Sequence, residues 1–344
     1  MKLKSYSTKN SDGSERLRAD WLVTSVGLAM LGLLLVAVST PERLFAHLGW
    51  LAAGATGAWI AGRGGFDPRP GMPALLLGSL VVGLVCGFVA PQAYRSWNAA
   101  IAPALTGLFG VVWLSSRFSA RGRAGYGAVL VIVVCALGVQ RNVAAAVGVG
   151  ATGLLLLRCA GARLGALGLG ACATLSALLM LWMRDPLFVR RMMNLSHAFY
   201  SEERAVPLTV RAIRGGGWFG GHESESLLLR YAPRDATGEF AGALMIERWG
   251  VATLMLAGLA FVMLLVAAWR IQRAAQHPAS RLAAIAAGAW LIVPAVWHLV
   301  GILQVIPFRG VALPLVSHDG PMLVTSLIAV GLLAFASTRE PAPC

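Results

Sequence analysis

Two carboxylates and an arginine stand in an otherwise apolar stretch late in the chain: Glu239, Glu247 and Arg248, within Thr237-Gly238-Glu239-Phe240-Ala241-Gly242-Ala243-Leu244-Met245-Ile246-Glu247-Arg248-Trp249-Gly250. Ionisable groups at membrane depth are costly, so they mark either mutual pairing or a functional cavity. Glu239 and Glu247 are eight residues apart, about two turns of helix, which places them on roughly one helix face. A carboxylate in such a place can act as a base toward a hydroxyl. The structural alternative is that Glu247 pairs with a nearby arginine and Glu239 is a helix-start carboxylate favoured by the dipole.

A second unusual segment runs Pro307-Phe308-Arg309-Gly310-Val311-Ala312-Leu313-Pro314-Leu315-Val316-Ser317-His318-Asp319-Gly320, between two apolar runs. Pro307 and Pro314 lack a backbone donor and Gly310 and Gly320 favour turns, so it is not a spanning helix. Irregular backbone at a membrane survives only where it is buried in protein or lines a wet cavity.

The rest of the chain supplies the membrane that both arguments assume. Of 344 residues 57% are hydrophobic and only 13% charged, and the mean hydropathy is +0.71. That leaves too little polar surface for a water-soluble protein of this length. Ten apolar runs are expected to cross a bilayer, at Trp21–Val38, Leu44–Gly62, Met72–Ala90, Trp97–Ser115, Tyr126–Val139, Val143–Leu157, Leu164–Met183, Ala241–Trp269, Leu282–Leu303 and Pro321–Ser337. The fifth and sixth are short, are separated by Gln140-Arg141-Asn142, and could form a broken or tilted pair. The net charge of +14 follows membrane topology rather than nucleic-acid binding. With the N-terminus in the cytoplasm, sixteen basic residues fall inside and four (Arg43, Arg95, Arg141, Arg309) in short outer loops. Both termini are then cytoplasmic.

The expected organisation is all-α and polytopic: a cytoplasmic tail over 1–20, transmembrane helices one to seven over 21–183, a large extracytoplasmic loop over 184–240, helices eight to ten over 241–337 with an outer loop at 304–320, and a tail at 338–344. The large loop gathers most of the polar groups. Gly215-Gly216-Gly217 and Gly220-Gly221 within it read as ends of regular structure, and residue chemistry alone makes them a flexible linker; the Lys-Ser/Thr pair of a nucleotide P-loop is missing. The five cysteines show no C-x-x-C spacing and read as packing residues. His197 and His222 show no metal-ligand spacing, and His298, beside Trp297 inside the ninth span, reads as a satisfied core histidine rather than a proton relay.

The two unusual segments resemble one family. Pro307–Gly320 is similar to the segment LPVTGIPLPFVSYGGSS of the SEDS (shape, elongation, division and sporulation) family of RodA/FtsW/SpoVE-like peptidoglycan glycosyltransferases, with His318, Asp319 and Pro321 at the family's Tyr, Gly and Ser. The segment Glu239–Gly250 aligns without a gap on the family's HTDFIFAVIGEELG, placing Glu239 on its catalytic Asp and Glu247 on the first Glu, with Arg248 in place of the second. Arg190-Arg191-Met192-Met193 and Gly216-Gly217-Trp218-Phe219-Gly220 resemble the RRI and GGLFG segments that bracket the family's large loop, while Arg95-Ser96-Trp97 weakly resembles an Arg-Arg-Trp element.

The resemblance implies a polymerase of lipid II at the outer face of the bacterial cytoplasmic membrane, serving cell shape or division. Glu239 is the implied base, with Arg190, Arg191, Arg95, Trp97, Ser317 and Glu247 around the substrate. The arginines suit pyrophosphate oxygens, although interfacial arginines also snorkel to headgroups. The resemblance further implies a divalent cation, Mg²⁺ or Mn²⁺, and a class B penicillin-binding protein with transpeptidase activity as partner. Glu at an Asp position, His222-Glu223-Ser224-Glu225-Ser226 in place of a Gly-rich stretch, and the altered turn after Ser317 keep two alternatives open: a catalytically degenerate scaffold or regulator of a cell-wall synthase, and a lipid-linked precursor flippase.

Overall fold

A computed structural model describes residues 4–63, 72–89, 95–117, 119–140, 142–163, positions 165, 168, 171, 172 and 175, and then 208–221, 226–233, 235–303 and 311–338, with side chains from Leu22 onward except at 87, 88 and 95–99. The described residues are helical, joined by turns and loops, without a strand among them. The helices are α1 (Lys4–Ser39), α2 (Leu44–Arg63), α3 (Met72–Val89), α4 (Arg95–Ser116), α5 (Ala120–Val139), α6 (Val143–Cys159), α7 (Leu208–Gly216), α8 (Leu227–Tyr231), α9 (Ala241–Trp249), α10 (Val251–Ala274), α11 (Pro278–Ile302) and α12 (Gly320–Thr338). Among the described residues six helical stretches are long and apolar enough to cross a membrane, in α1, α2, α5, α10, α11 and α12, and α3, α4 and α6 are shorter apolar helices. The chain is a multi-pass membrane protein. The expected seventh span, Leu164–Met183, lies largely outside the described residues, as does the stretch from Arg184 to Pro207.

Local chemistry sets several boundaries. Ser119 accepts from Gly122 N–H at the start of α5, and Asn142 accepts from Ala145 N–H at the start of α6, each satisfying an orphan donor of a first helical turn. The residues suspected of a broken pair thus form two capped helices, α5 and α6, packed on each other. Pro278 stands at the first position of α11, where a missing N–H costs nothing.

The eighth span needs correction. Instead of one helix over Ala241–Trp269, the chain breaks at Gly250, whose φ of 85° separates α9 from α10. A side chain at that position would be strained and would collide with the Trp218 carbonyl. The break is filled by the preceding loop: Val251 N–H donates to Gly217 O at 3.0 Å and Gly221 N–H to Glu247 O at 3.0 Å. The glycines read as a linker are therefore docked, and a Cβ at Gly216 or Gly220 would strike the carbonyls of Ile246 and Arg248.

α11 is the hub of the bundle. It packs on α4, α6, α10 and α12, and its buried face carries Ala279, Ala283, Ala284, Ala286, Ala287 and Gly288. Small residues let backbones approach where lipid supplies no hydrophobic drive for helix association. The same device joins α2 to α12, which run parallel: Gly54 meets Leu327, Gly57 meets Ile328, and Gly331 sits against the Ala58 backbone. Gly331→Leu should therefore lower stability by about 1–3 kcal/mol through overpacking, read as a reduced thermal midpoint in detergent. Gly258→Leu, with open space around its Cβ position, should leave the midpoint unchanged.

Candidate functional site

The site forms at the end of the bundle where α2, α9 and α12 begin and α11 ends. Two irregular segments meet there: a turn over 235–240 that leads into α9, and the loop 311–319 that leads into α12. His318 N–H donates to Thr237 O at 2.7 Å, joining the two segments through their backbones. Within the turn Phe240 N–H donates to Asp235 O at 2.9 Å, and Leu244 N–H donates to Phe240 O at 2.9 Å at the head of α9.

The loop 311–319 is buried in protein, one of the two settings that irregular backbone in a membrane protein needs. Val311, Leu313, Leu315, Val316 and Ser317 are all below 10% exposed. Leu315 adopts a φ of 63°, a left-handed conformation that costs a branched residue energy and persists only where packing dictates it. Gly32 on α1 supplies part of that packing, because a Cβ there would run into the Val316 carbonyl. Ala100 near the start of α4 joins Val311, Ala312 and Met322 in a small apolar cluster, which brings the first turn of α4, with Arg95 and Trp97 in its backbone, to the same end. The side chains of Arg95 and Trp97, and all of Arg190, Arg191, Pro307–Gly310 and His222–Glu225, lie outside the described residues.

Glu239 is half-buried in the turn before α9, not on the helix. The expectation that Glu239 and Glu247 share a helix face is thus corrected, since the helix begins at Ala241. Two residues before it, Thr237 Oγ1 accepts from Arg43 Nη1 at 3.4 Å. Arg43 belongs to a single 3-10 turn, Pro41–Arg43, between α1 and α2. A basic side chain from a short outer loop of the sequence reading thereby reaches the turn that carries Glu239, a contact that residue spacing could not reveal.

Glu247 faces the glycine loop and the short helix behind it. Its Oε2 accepts from Ser226 Oγ at 2.5 Å and its Oε1 from Leu227 N–H at 2.6 Å, while Ser226 Oγ itself accepts from Leu229 N–H at 3.2 Å. Both oxygens are engaged in capping α8, so the geometry gives Glu247 a holding role rather than the arginine pairing considered above. Ser317, 1% exposed, has a hydroxyl with no hydrogen-bond partner among the described residues.

Histidines reinforce this end of the bundle. His47, in the first turn of α2, places Nδ1 3.2 Å from Nδ1 of His318. Two ring nitrogens this close share one proton, one donating and the other accepting. His318 thus replaces the family's tyrosine with a group that reaches α2. Burial first, then the Arg43 guanidinium, holds its imidazole below the usual 6.5, against the opposing pull of Glu42. Next to it, burial raises the Asp319 carboxyl above its usual value, partly offset by the Met322 N–H that it accepts at 2.9 Å as cap of α12. His298, fully buried on α11, accepts at Nε2 from Gly242 N–H at 3.0 Å and donates from Nδ1 to Val311 O at 2.6 Å. It is the satisfied core histidine that the sequence suggests.

A polytopic helical membrane protein with a half-buried carboxylate in a turn, braced by a buried loop, is the class that this architecture defines. Residues 91–341 match the family model for FtsW, RodA and SpoVE, described as cell cycle protein. The chain belongs to that family. The probable peptidoglycan glycosyltransferase FtsW of Geobacter metallireducens is 26% identical over 226 residues, which cover 65% of this chain and 60% of that relative. Its counterpart in Thioalkalivibrio sulfidiphilus is 29% identical over 196 residues, 55% of this chain and 49% of the relative. The aligned part thus spans about half to three-fifths of these relatives. Among solved structures, the rod shape determining protein RodA of Thermus thermophilus superimposes with a TM-score of 0.64 at 18% identity, over 93% of this chain and 97% of RodA. A chain of a peptidoglycan synthase complex gives 0.66 at 17% identity, over 92% and 96%. These likenesses establish the fold.

Two expectations follow from the geometry. Glu247→Ala leaves the Leu227 N–H without its acceptor, which should cost about 1–3 kcal/mol locally, seen as faster hydrogen exchange over residues 226–231. For His318 the folded-state value lies below the unfolded one, so its contribution to stability is present above 6.5 and is lost as pH falls below that value. His318→Gln, which stays neutral, should make the decline of the thermal midpoint on acidification below 6.5 shallower than in the unsubstituted protein.

Proposed function

We propose that the protein is a peptidoglycan glycosyltransferase that polymerises lipid II, with Glu239 as the base. The observation that carries this reading is the placement of Glu239: a half-buried carboxylate in the turn whose backbone is bonded, through Thr237 and His318, to the buried loop before α12. The positive-inside distribution supports placing this end of the bundle on the outer face of the cytoplasmic membrane, with both termini inside.

In the reaction an acceptor sugar hydroxyl attacks C1 of the lipid-linked donor. The C1–oxygen bond to the lipid pyrophosphate breaks, the pyrophosphate leaves with the bonding pair, and the hydroxyl proton passes to the Glu239 carboxylate. The turn and loop hold Glu239 at the membrane surface, where the hydroxyl can approach while the lipid tails stay in the bilayer. Glu carries one methylene more than the family's Asp, and an error near 1 Å can cost about 100-fold, so the rigidity of the turn matters more here. Arg190 and Arg191, from the large loop, are the proposed pyrophosphate contacts, with Arg95, Trp97 and Ser317 proposed to line the substrate path.

The described residues do not make a cage for a resident metal ion. No three His, Cys, Asp or Glu side chains converge among them, and Glu247 and an Asp319 oxygen are engaged at helix starts. Among the described residues no such cluster is present for the divalent cation that the resemblance implies, and none of these steps uses one. A class B penicillin-binding protein is the proposed partner, as the resemblance implies; the likeness to a chain of a peptidoglycan synthase complex is in keeping with it.

The test supplies labelled lipid II to the purified full chain with its partner transpeptidase. Glu239→Ala should lower polymer formation by about 100-fold or more, and Glu239→Asp should retain or raise it. Equal polymer from the alanine variant would remove Glu239 from the chemistry. An inactive parent that gains activity with Glu239→Asp would instead show the degenerate scaffold.

A further inference from the structure

His298 sits where three separate pieces of chain meet. Its ring is fully buried, yet neither nitrogen is idle. The acceptor nitrogen, Nε2, takes the Gly242 N–H at 3.0 Å, and the donor nitrogen, Nδ1–H, gives its proton to Val311 O at 2.6 Å. These two bonds fix one neutral tautomer, with the proton on Nδ1.

The choice of partners is informative. Gly242 is the second residue of α9, so its N–H is one of the donors that a helix leaves unsatisfied at its start. Phe240, the residue in the cap position, makes no side-chain bond to the helix. A histidine from a different helix therefore caps α9. Gly242 must be glycine for this to happen, because a Cβ would stand 2.7 Å from His298 Nε2.

The other bond ties the same ring to the beginning of the buried loop at Val311. That loop returns to the turn through the bond from His318 N–H to Thr237 O at 2.7 Å. Glu239 lies inside the resulting closed circuit, three residues before the amide that His298 accepts and two residues after the carbonyl that His318 meets.

We propose that His298 is a positioning residue for Glu239, capping α9 and pinning the buried loop so that the carboxylate-bearing turn is held from both sides. The proposal rests on the reading of Glu239 as the base, and it adds a requirement: one side chain on α11 must offer an acceptor and a donor in opposite directions. An asparagine amide meets that requirement, whereas leucine offers neither and leaves the Gly242 N–H and Val311 O buried without partners.

The experiment compares the full chain with His298→Asn and His298→Leu. Lipid II polymerisation is followed over a range of lipid II concentrations, and hydrogen exchange is followed over residues 237–246 and 311–319. His298→Leu should reduce kcat by about 100-fold, the scale of a misplacement near 1 Å, with KM little changed, and should accelerate exchange in both segments. His298→Asn should recover most of the turnover and the protection. Unchanged kcat in the leucine variant, or an asparagine variant as impaired as leucine in both readouts, would overturn the proposal. If the parent chain makes no polymer, the reading of Glu239 fails, while exchange still decides the brace: protection equal to the parent in His298→Leu overturns it, and protection lost with leucine but kept with asparagine upholds it.

Discussion

The bond from His318 N–H to Thr237 O, 2.7 Å long, joins two stretches of irregular backbone that lie outside any helical hydrogen-bond ladder. Buried peptide groups without partners cost free energy comparable to a lost hydrogen bond. The turn before α9 and the loop before α12 meet that constraint by bonding each other and the bundle around them. Every other feature of the site depends on this. Arg43 reaches Thr237, His47 meets His318, Asp319 caps α12, and His298 bridges Gly242 and Val311. The described part of the Pro/Gly-punctuated segment, residues 311–319, is thereby tied to α11 and to the turn before α9.

The acidic groups divide by what they hold. Glu247 fastens the short helix α8 and the glycine loop to the end of α9, and Asp319 starts α12. Glu239 stands in the turn between them. Replacing the family's Asp by Glu at this point lengthens the side chain without changing its acid–base chemistry. The turn is seated by Arg43 at Thr237 Oγ1 and by the loop through His318 N–H at Thr237 O.

Much of the fold was legible because hydropathy and length dictate spanning helices, and the two segments that stood out in the sequence, Glu239–Gly250 and Pro307–Gly320, are brought together where the turn before α9 meets the described loop 311–319. The break at Gly250 was not legible, because an apolar window carries no record of a left-handed backbone or of Trp218 packed against it. Contacts between distant residues were equally hidden. Ser226 and Glu247 are 21 residues apart, Arg43 and Thr237 are 194, and His47 and His318 are 271. The docked glycine loop shows the same limit, since glycine composition reads alike for a linker and for a close backbone approach.

The central claim is that the Glu239 carboxylate takes the proton of the attacking sugar hydroxyl. The most direct measurement is an experimental structure of the full chain with a lipid II acceptor bound. The account predicts a Glu239 carboxylate oxygen about 2.6–3.2 Å from that hydroxyl, or joined to it through one water. A sugar seated at the opposite end of the bundle, or beyond the reach of Glu239 even through one water, would contradict it.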